Sequence, residues 1–289
     1  MKTTPKMDEL VERVLADMEK GVPPWREPWF HTGMRNWETE RPYSGINVMS
    51  LAYDMSKKGL THGQFLTFKQ AQKAGGRVKA GSHGSPVFFF KTLFVKDKEK
   101  ENVEKKIPIM ATYILFGVDQ VEGIQPKPDG SRELTPNALG DKIIKGCGAT
   151  ITENSASIFA PARYIPALDR VDVPRRNLWK SDEQYYSTMF HELTHWTAPE
   201  KRVNRVFKYQ GEGRAFEELV AELGGAFLSC FVGFEYETQH SAYLASWVSM
   251  LKNHKDALYM AASKAQKAVD FILQSSGVVS APKVDAVAA

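Results

Sequence analysis

Two histidines four residues apart, with a glutamate directly after the first, constrain this chain more than any other feature. They lie in the stretch Phe190-His191-Glu192-Leu193-Thr194-His195-Trp196. In a helix, positions four apart are only about 40° apart around the axis, so His191 and His195 leave one face together and can share one metal ion. Glu192 stands on the flank of that face. In this HExxH arrangement two neutral imidazoles hold Zn²⁺, and the carboxylate takes a proton from water that the metal activates. The chemistry it points to is hydrolysis, most often of a peptide bond. The flanks read as a helix: Ser181 can cap it with Gln184 at the third helical position, Asp182 and Glu183 suit the positive end of the dipole, and Pro199 ends it. Taken alone, the pentapeptide equally fits a buried helix whose histidines bond to neighbouring groups.

A second cluster, Phe216-Glu217-Glu218-Leu219-Val220-Ala221-Glu222-Leu223, tips the reading towards a metal. Read as a helix, it puts Glu218 and Glu222 on one face beside an apolar stripe of Leu219, Leu223, Ala226 and Phe227. A carboxylate at the border of a buried face needs a cation or a metal, because burying it unpaired is costly. Zinc sites built from two His and one Glu take the third ligand from a second helix, and a further acid commonly orients a ligating His. Glu218 is then the third metal ligand and Glu222 the supporting acid, with the two roles open to exchange. The alternative is a solvated face in which Glu217, Glu218 and Glu222 pair with Arg214 or Lys201.

At 289 residues the chain is long for one domain and comfortable for two. Its 43% hydrophobic and 25% charged residues are those of a globular protein rather than a disordered one. No apolar run reaches the roughly 18 residues of a membrane span. The first twenty residues, with Asp8, Glu9, Glu12, Asp17 and Glu19, are too acidic and too periodic for a secretion signal, so a cytoplasmic protein without membrane partners is expected. Cys147 and Cys230, far apart and outside any CxxC spacing, suit a reducing compartment as ordinary buried thiols. Charge is unevenly placed: residues 1–110 hold 19 Lys and Arg against 13 Asp and Glu, while the remainder is slightly acidic. A basic excess that coincides with many aromatics is the pairing that single-stranded nucleic acid binding uses.

That first part opens with an amphipathic helix over residues 7–20, stopped by Gly21. Three prolines then hold Trp25 and Trp29 along a rigid segment, where they could stack on bases or plug a domain edge. Arg35, Trp37, Arg41 and Tyr43 follow, ahead of a helix over residues 47–57 that begins at Asn47. A short strand over residues 65–68 runs into a helix at Lys69 and Gln70 with Thr67 as its cap. Residues 75–84 form a basic glycine-rich turn whose Arg77 and Lys79 suit backbone phosphates, and without a Gly-Lys-Ser/Thr ending they are not a nucleotide-binding P-loop. Residues 87–95 are the strongest strand, with a partner over 108–116 and a mixed-charge hairpin excursion between them. Proline and glycine around Gln125-Pro126-Lys127-Pro128 place a domain boundary within residues 119–135. Beyond it come a helix over 136–145, short strands at 158–159, 163–166 and 170–174, and a helical tail over 242–274 after the two site helices.

Together these motifs resemble one family. Pro28-Trp29, Arg41-Pro42-Tyr43-Ser44-Gly45-Ile46-Asn47, Leu66-Thr67-Phe68-Lys69-Gln70-Ala71 and Gly75-Gly76-Arg77-Val78-Lys79-Ala80-Gly81 resemble the single-stranded DNA (ssDNA)-binding domain of ArdC-type antirestriction proteins. Asp169-Arg170-Val171-Asp172-Val173-Pro174, the HExxH stretch, the acidic cluster and Tyr243-Leu244-Ala245-Ser246-Trp247 resemble the zincin-like metallopeptidase domain that follows it. The N-terminal half is also similar to that of plasmid TraC-type primases. Gly117-Val118-Asp119-Gln120 and Cys147-Gly148-Ala149 depart from the family pattern, away from the metal motif.

The resemblance implies an α+β protein of two domains: an α/β ssDNA-binding domain over residues 1–125 and a mainly helical zincin-like metallopeptidase domain with a small sheet over residues 126–289. It implies a plasmid-borne protein that protects incoming DNA from host restriction during conjugation. His191, His195 and Glu218 would be metal ligands, Glu192 the general base and Glu222 the supporting acid. Trp25, Trp29, Arg35, Trp37, Arg41, Tyr43, Asn47, Lys69, Gln70, Arg77 and Lys79 would form the DNA surface. The expected cofactor is Zn²⁺, with Mn²⁺ or Co²⁺ able to fill the same site. The expected partners are ssDNA and, as peptidase targets, host restriction or other DNA-associated proteins. The other reading is an ssDNA-coating protein whose metal site is structural or silent. A metal-dependent nuclease fits less well, because two-metal nucleases use a denser carboxylate cluster.

Overall fold

The computed structural model describes residues 3–26, 33–96, 104–128, 135–155, 162–205, 212–237 and 243–279. Trp29 and the strand expected at residues 158–159 lie outside them. Two compact units emerge: Met1–Asp129 with Ala242–Met260, and Gly130–Ser241 with Ala261–Ala289. Each is a mixture of helix and sheet, giving a two-domain α+β architecture. No helix among the described residues is long and apolar enough to cross a membrane.

In the first unit, α1 (Pro5–Glu19) starts at Thr4, whose hydroxyl accepts the Met7 N–H, and buries Met7, Leu10, Val11, Val14 and Met18 along one face. β1 (Arg35–Asn36) follows, and then α2 (Ile46–Lys57) starts after Gly45, whose φ of 58° is one that glycine adopts without a Cβ penalty. The sheet consists of β1, β2 (Gln64–Thr67), β4 (Ser85–Lys96) and β5 (Glu104–Gly117), in the order β1-β2-β5-β4. β4 and β5 form the long antiparallel hairpin expected from the apolar, aromatic-rich run at residues 87–95 and its partner at 108–116, with Val87 opposite Tyr113 and Lys96 opposite Glu104. α3 (Phe68–Lys73) follows β2 through a capping box between Thr67 and Gln70. β3 (Arg77–Val78) and β6 (Val121–Glu122) pair as a separate ribbon.

Every residue of α2 from Ile46 to Met55 is buried, polar ones included, because its side chains cover the β4 edge. The Asn47 amide donates to the Phe88 carbonyl at 3.0 Å and accepts the Phe88 N–H at 2.7 Å, while Ser50 donates to the Pro86 carbonyl at 2.7 Å. At Pro86 and Phe88 the sheet edge is thereby closed to pairing with another strand.

The helical tail expected over residues 242–274 is two helices, α7 (Leu244–Asn253) and α8 (Ala257–Ser275). The break falls at His254, which leaves helical geometry with ψ at 88°. α7 belongs to the first unit, where Trp247 packs edge-on against Trp25 at 6.0 Å, both essentially fully buried. Trp25 is therefore a core plug, and Asn47 an edge-strand clamp. Neither is on the DNA surface that the sequence reading gave them.

The second unit holds α4 (Pro136–Gly146), capped by Thr135, and a sheet of β7 (Thr150–Ser155), β8 (Arg163–Ile165) and β9 (Arg170–Pro174) in the order β7-β9-β8. The long helix α5 (Asp182–Trp196) packs on β8 and β9, and a second long helix, α6 (Gly213–Val232), packs on α5. Val171, Val173, Tyr186, Phe190, Leu193, Phe216, Leu219 and Leu223 form this core. Gly224 on α6 faces Thr194 on α5 so closely that an added Cβ would lie 2.4 Å from the Thr194 hydroxyl oxygen. That close approach brings the acidic turn of α6 to the histidine face of α5.

Candidate metal centre

The N-terminus of α5 is fixed by Ser181, whose hydroxyl accepts the Gln184 N–H at 3.1 Å, with Asp182 and Glu183 in the first turn. Two turns further on, His191 and His195 stand side by side with their Nε2 atoms 3.1 Å apart. Glu218 Oε2 approaches from α6, 3.6 Å from the Nε2 atom of each histidine. The three donor atoms lie within 4.8 Å of one another. Tetrahedral donors about 2.0–2.2 Å from one ion are about 3.3–3.6 Å from each other, so this set fits a divalent metal with little adjustment.

Each histidine also has a carboxylate at its other ring nitrogen. Glu217 Oε1 is 3.1 Å from His195 Nδ1, and Glu222 Oε2 is 3.9 Å from His191 Nδ1. Glu222 is fully buried and accepts the Tyr236 hydroxyl proton. Glu222 thus faces Nδ1 of His191 while Glu218 faces the Nε2 atoms, and Glu218 is the carboxylate that converges with both imidazoles. The sequence reading gave Glu217 no role beyond a solvated surface, and this is a correction: its side chain is 12% exposed and clamped by Arg205. Arg205 donates to Glu217 Oε1 at 2.6 Å and Oε2 at 3.1 Å, and to the Thr194 carbonyl at 2.6 Å. Arg205 was not among the expected partners, Arg214 and Lys201, and Lys201 pairs with Asp169 instead. No spacing rule selects Glu217, which is one residue from Glu218 and about 100° away around the helix. Arg205 lies in a connection without periodicity.

The electrostatics follow from this crowding. Burial pushes the His195 imidazole down, but its bonds to Glu217 and Glu218 outweigh that and raise it to about 10. Glu218 shifts in the opposite sense: burial raises its carboxyl, and the two histidines hold it far below the usual range. Glu192 is buried beside the cluster, and its Oε2 accepts the Tyr164 N–H of β8 at 2.7 Å. The turn after β8 is tied to the end of α5: Asp169, with a left-handed φ of 47°, accepts from Arg202, Lys201 and the Tyr164 hydroxyl. The Arg202 guanidinium in turn lies 4.3 Å over the Trp196 ring.

In the first unit the residues expected to meet DNA divide into two groups. Arg41, Lys69, Arg77 and Lys79 are exposed, with the Lys79 ammonium donating to the Asp119 carbonyl at 2.8 Å. The others carry structural bonds. Tyr43 is half-buried and its hydroxyl accepts from Asn36 at 3.2 Å, while Gln70 belongs to the capping box and donates to Glu38 at 2.8 Å. Arg35 donates to the Pro128 carbonyl at 3.0 Å, and Trp37 donates to the Gln125 carbonyl under the Lys127 ammonium.

Residues 5–116 match the N-terminal domain of the anti-restriction factor ArdC, and residues 138–264 match a zincin-like metallopeptidase domain. The chain is similar to the metal-free crystal structure of the antirestriction protein ArdC from plasmid R388, with a TM-score of 0.83 and 32% identity over 96% of this chain and 100% of that one. Its similarity to the Mn(II)-bound structure of the same protein has a TM-score of 0.76 and 31% identity, covering 93% of this chain and 97% of that one. It is also 30% identical over 93% of its length to a DNA primase TraC from Escherichia coli, of which it spans 20%. On the strength of that full-length likeness, the chain belongs to the ArdC family of antirestriction proteins.

Proposed function

We propose that the second unit is a metal-dependent peptidase and the first an ssDNA-binding module of little sequence preference. Working in the cytoplasm, it would protect incoming DNA from restriction during conjugation by acting on host restriction or other DNA-associated proteins. The observation that carries this reading is the convergence of His191, His195 and Glu218 beside a buried glutamate. His191 and His195 would hold the metal through Nε2 and Glu218 through Oε2. The donor set favours Zn²⁺, and the Mn(II)-bound form of the R388 protein shows that a relative accepts another divalent ion. When bound, such an ion supplies Lewis acidity, polarising a carbonyl and making water nucleophilic at neutral pH. With Oε2 of Glu192 held by the Tyr164 N–H, Oε1 is the atom that takes up the proton and returns it to the leaving amine. Glu217, locked by Arg205, keeps His195 in the orientation that presents Nε2.

The bond from the Tyr164 N–H to Glu192 also favours a second reading, a DNA-coating protein whose metal site is silent, since a general base committed to backbone can serve structure alone. Glu192→Gln separates the two. It keeps an acceptor for the Tyr164 N–H and removes the proton acceptor, so a peptidase loses protection of transferred DNA in a conjugation assay while ssDNA binding persists. Undiminished protection would leave the coating reading standing.

A further inference from the structure

One large aromatic on the first unit is exposed in a way that packing does not explain. Phe68, the first residue of α3, is 49% exposed, although a Lys or Glu there would serve the helix equally well. Its ring meets Phe116 of β5 edge-on at 6.5 Å and 61°, a contact that leaves about half of the residue in solvent. Phe116 in turn packs on a small core of Leu66, Ala71, Val118, Val121 and Ile124, so the ring beneath Phe68 is anchored. Val78 of β3 packs on the same core, and its neighbours Arg77 and Lys79 are exposed, with the Lys79 ammonium resting on the Asp119 carbonyl at 2.8 Å. Lys69 adjoins Phe68 and is also exposed. The single acid in this ribbon is Glu122, opposite Arg77, so the margin is net positive.

A rigidly backed aromatic face with a basic margin matches the chemistry of an unpaired nucleobase and its phosphates: the base stacks and the cations track the backbone. A second exposed pair, Phe89 and Tyr113, lies on the opposite face of the β4–β5 hairpin, edge-on at 5.3 Å. Odd-numbered residues of β4 and β5 share one face and even-numbered ones the other, which puts Phe116 and Tyr113 on opposite sides of the sheet. The basic margin belongs to the Phe116 side.

We infer that Phe68, backed by Phe116 and flanked by Lys69, Arg77 and Lys79, is the stacking platform for an unpaired base of single-stranded DNA. This rests on the ssDNA reading of the first unit and names its contact surface. The test is fluorescence anisotropy of the full chain with a labelled oligothymidylate across a salt series, comparing wild type, Phe68→Ala, Phe68→Trp, Phe89→Ala and the Arg77→Gln/Lys79→Gln pair. Stacking on one aromatic corresponds to about a 5- to 100-fold loss of affinity in Phe68→Ala, with the salt slope kept. Phe68→Trp retains binding, and its indole emission changes on adding the oligonucleotide. The Arg77→Gln/Lys79→Gln pair lowers the salt slope by about one per phosphate contact. Wild-type binding left intact by Phe68→Ala, or lost instead in Phe89→Ala, overturns the platform and leaves the ssDNA reading in place. Absence of ssDNA binding by wild type overturns both.

Discussion

His195 stands between two carboxylates, Glu217 at Nδ1 and Glu218 at Nε2, and that placement decides how the site meets a metal. In the metal-free protein the raised imidazole, at about 10, is protonated at neutral pH, whereas a ligating imidazole is neutral. Metal uptake near pH 7 therefore displaces a proton, and affinity climbs with pH until the imidazole deprotonates by itself. Calorimetry in buffers of different ionisation enthalpy should count about one proton released per metal at neutral pH. A buffer-independent heat would contradict the assigned coupling. Glu217→Gln makes this proton easier to displace but also removes the anion that orients the ring; the lost orientation dominates, so metal affinity should fall about 10- to 100-fold, as for other acids that orient a ligating histidine. The sequence made the two histidines and Glu218 legible because they obey helical spacing. Glu217 and Arg205 were not legible, because their pairing is a tertiary contact between a helix and an irregular connection.

The elements were more readable than their relationships. α1, α2, α3, α4 and α5 follow from caps and apolar spacing, and the β4–β5 hairpin from its aromatic and β-branched residues. The tail between residues 244 and 275 kept helical periodicity through a break at His254 that no Gly or Pro marks, so it read as one helix. β7 went unassigned: Thr150-Ile151-Thr152 after Gly148 was a β-branched signal available in the sequence, and its parallel pairing with β9 was not. The packing of α5 on α6 is likewise invisible locally, because it depends on a missing side chain. At Gly224 the extra methyl of alanine would press on the Thr194 hydroxyl and methyl. Helix propensity favours alanine by about 1 kcal/mol, and overpacking at a close contact costs about 1–3 kcal/mol. Gly224→Ala should lower Tm and weaken metal binding together, and a higher Tm with unchanged affinity would show that the helices do not depend on this contact.

For the whole molecule, the chain leaves the first compact unit after Asp129 and returns to it over Ala242–Met260, so that unit is not one continuous stretch of sequence. The reason is Trp247, whose partner in the core is Trp25, more than two hundred residues earlier. Such long-range pairing leaves no periodic trace, which is also why Trp25 read as a candidate for stacking on bases. In the function proposed above, the second unit holds a divalent metal on His191, His195 and Glu218, separately from a DNA surface on the first. The most direct test is elemental analysis of purified wild type and Glu218→Ala, with ssDNA affinity measured on the same preparations. Wild type should carry about one equivalent of metal and Glu218→Ala far less, with the same ssDNA affinity in both. Metal retained in full by Glu218→Ala, or absent from wild type after exposure to Zn²⁺ and Mn²⁺, would contradict it.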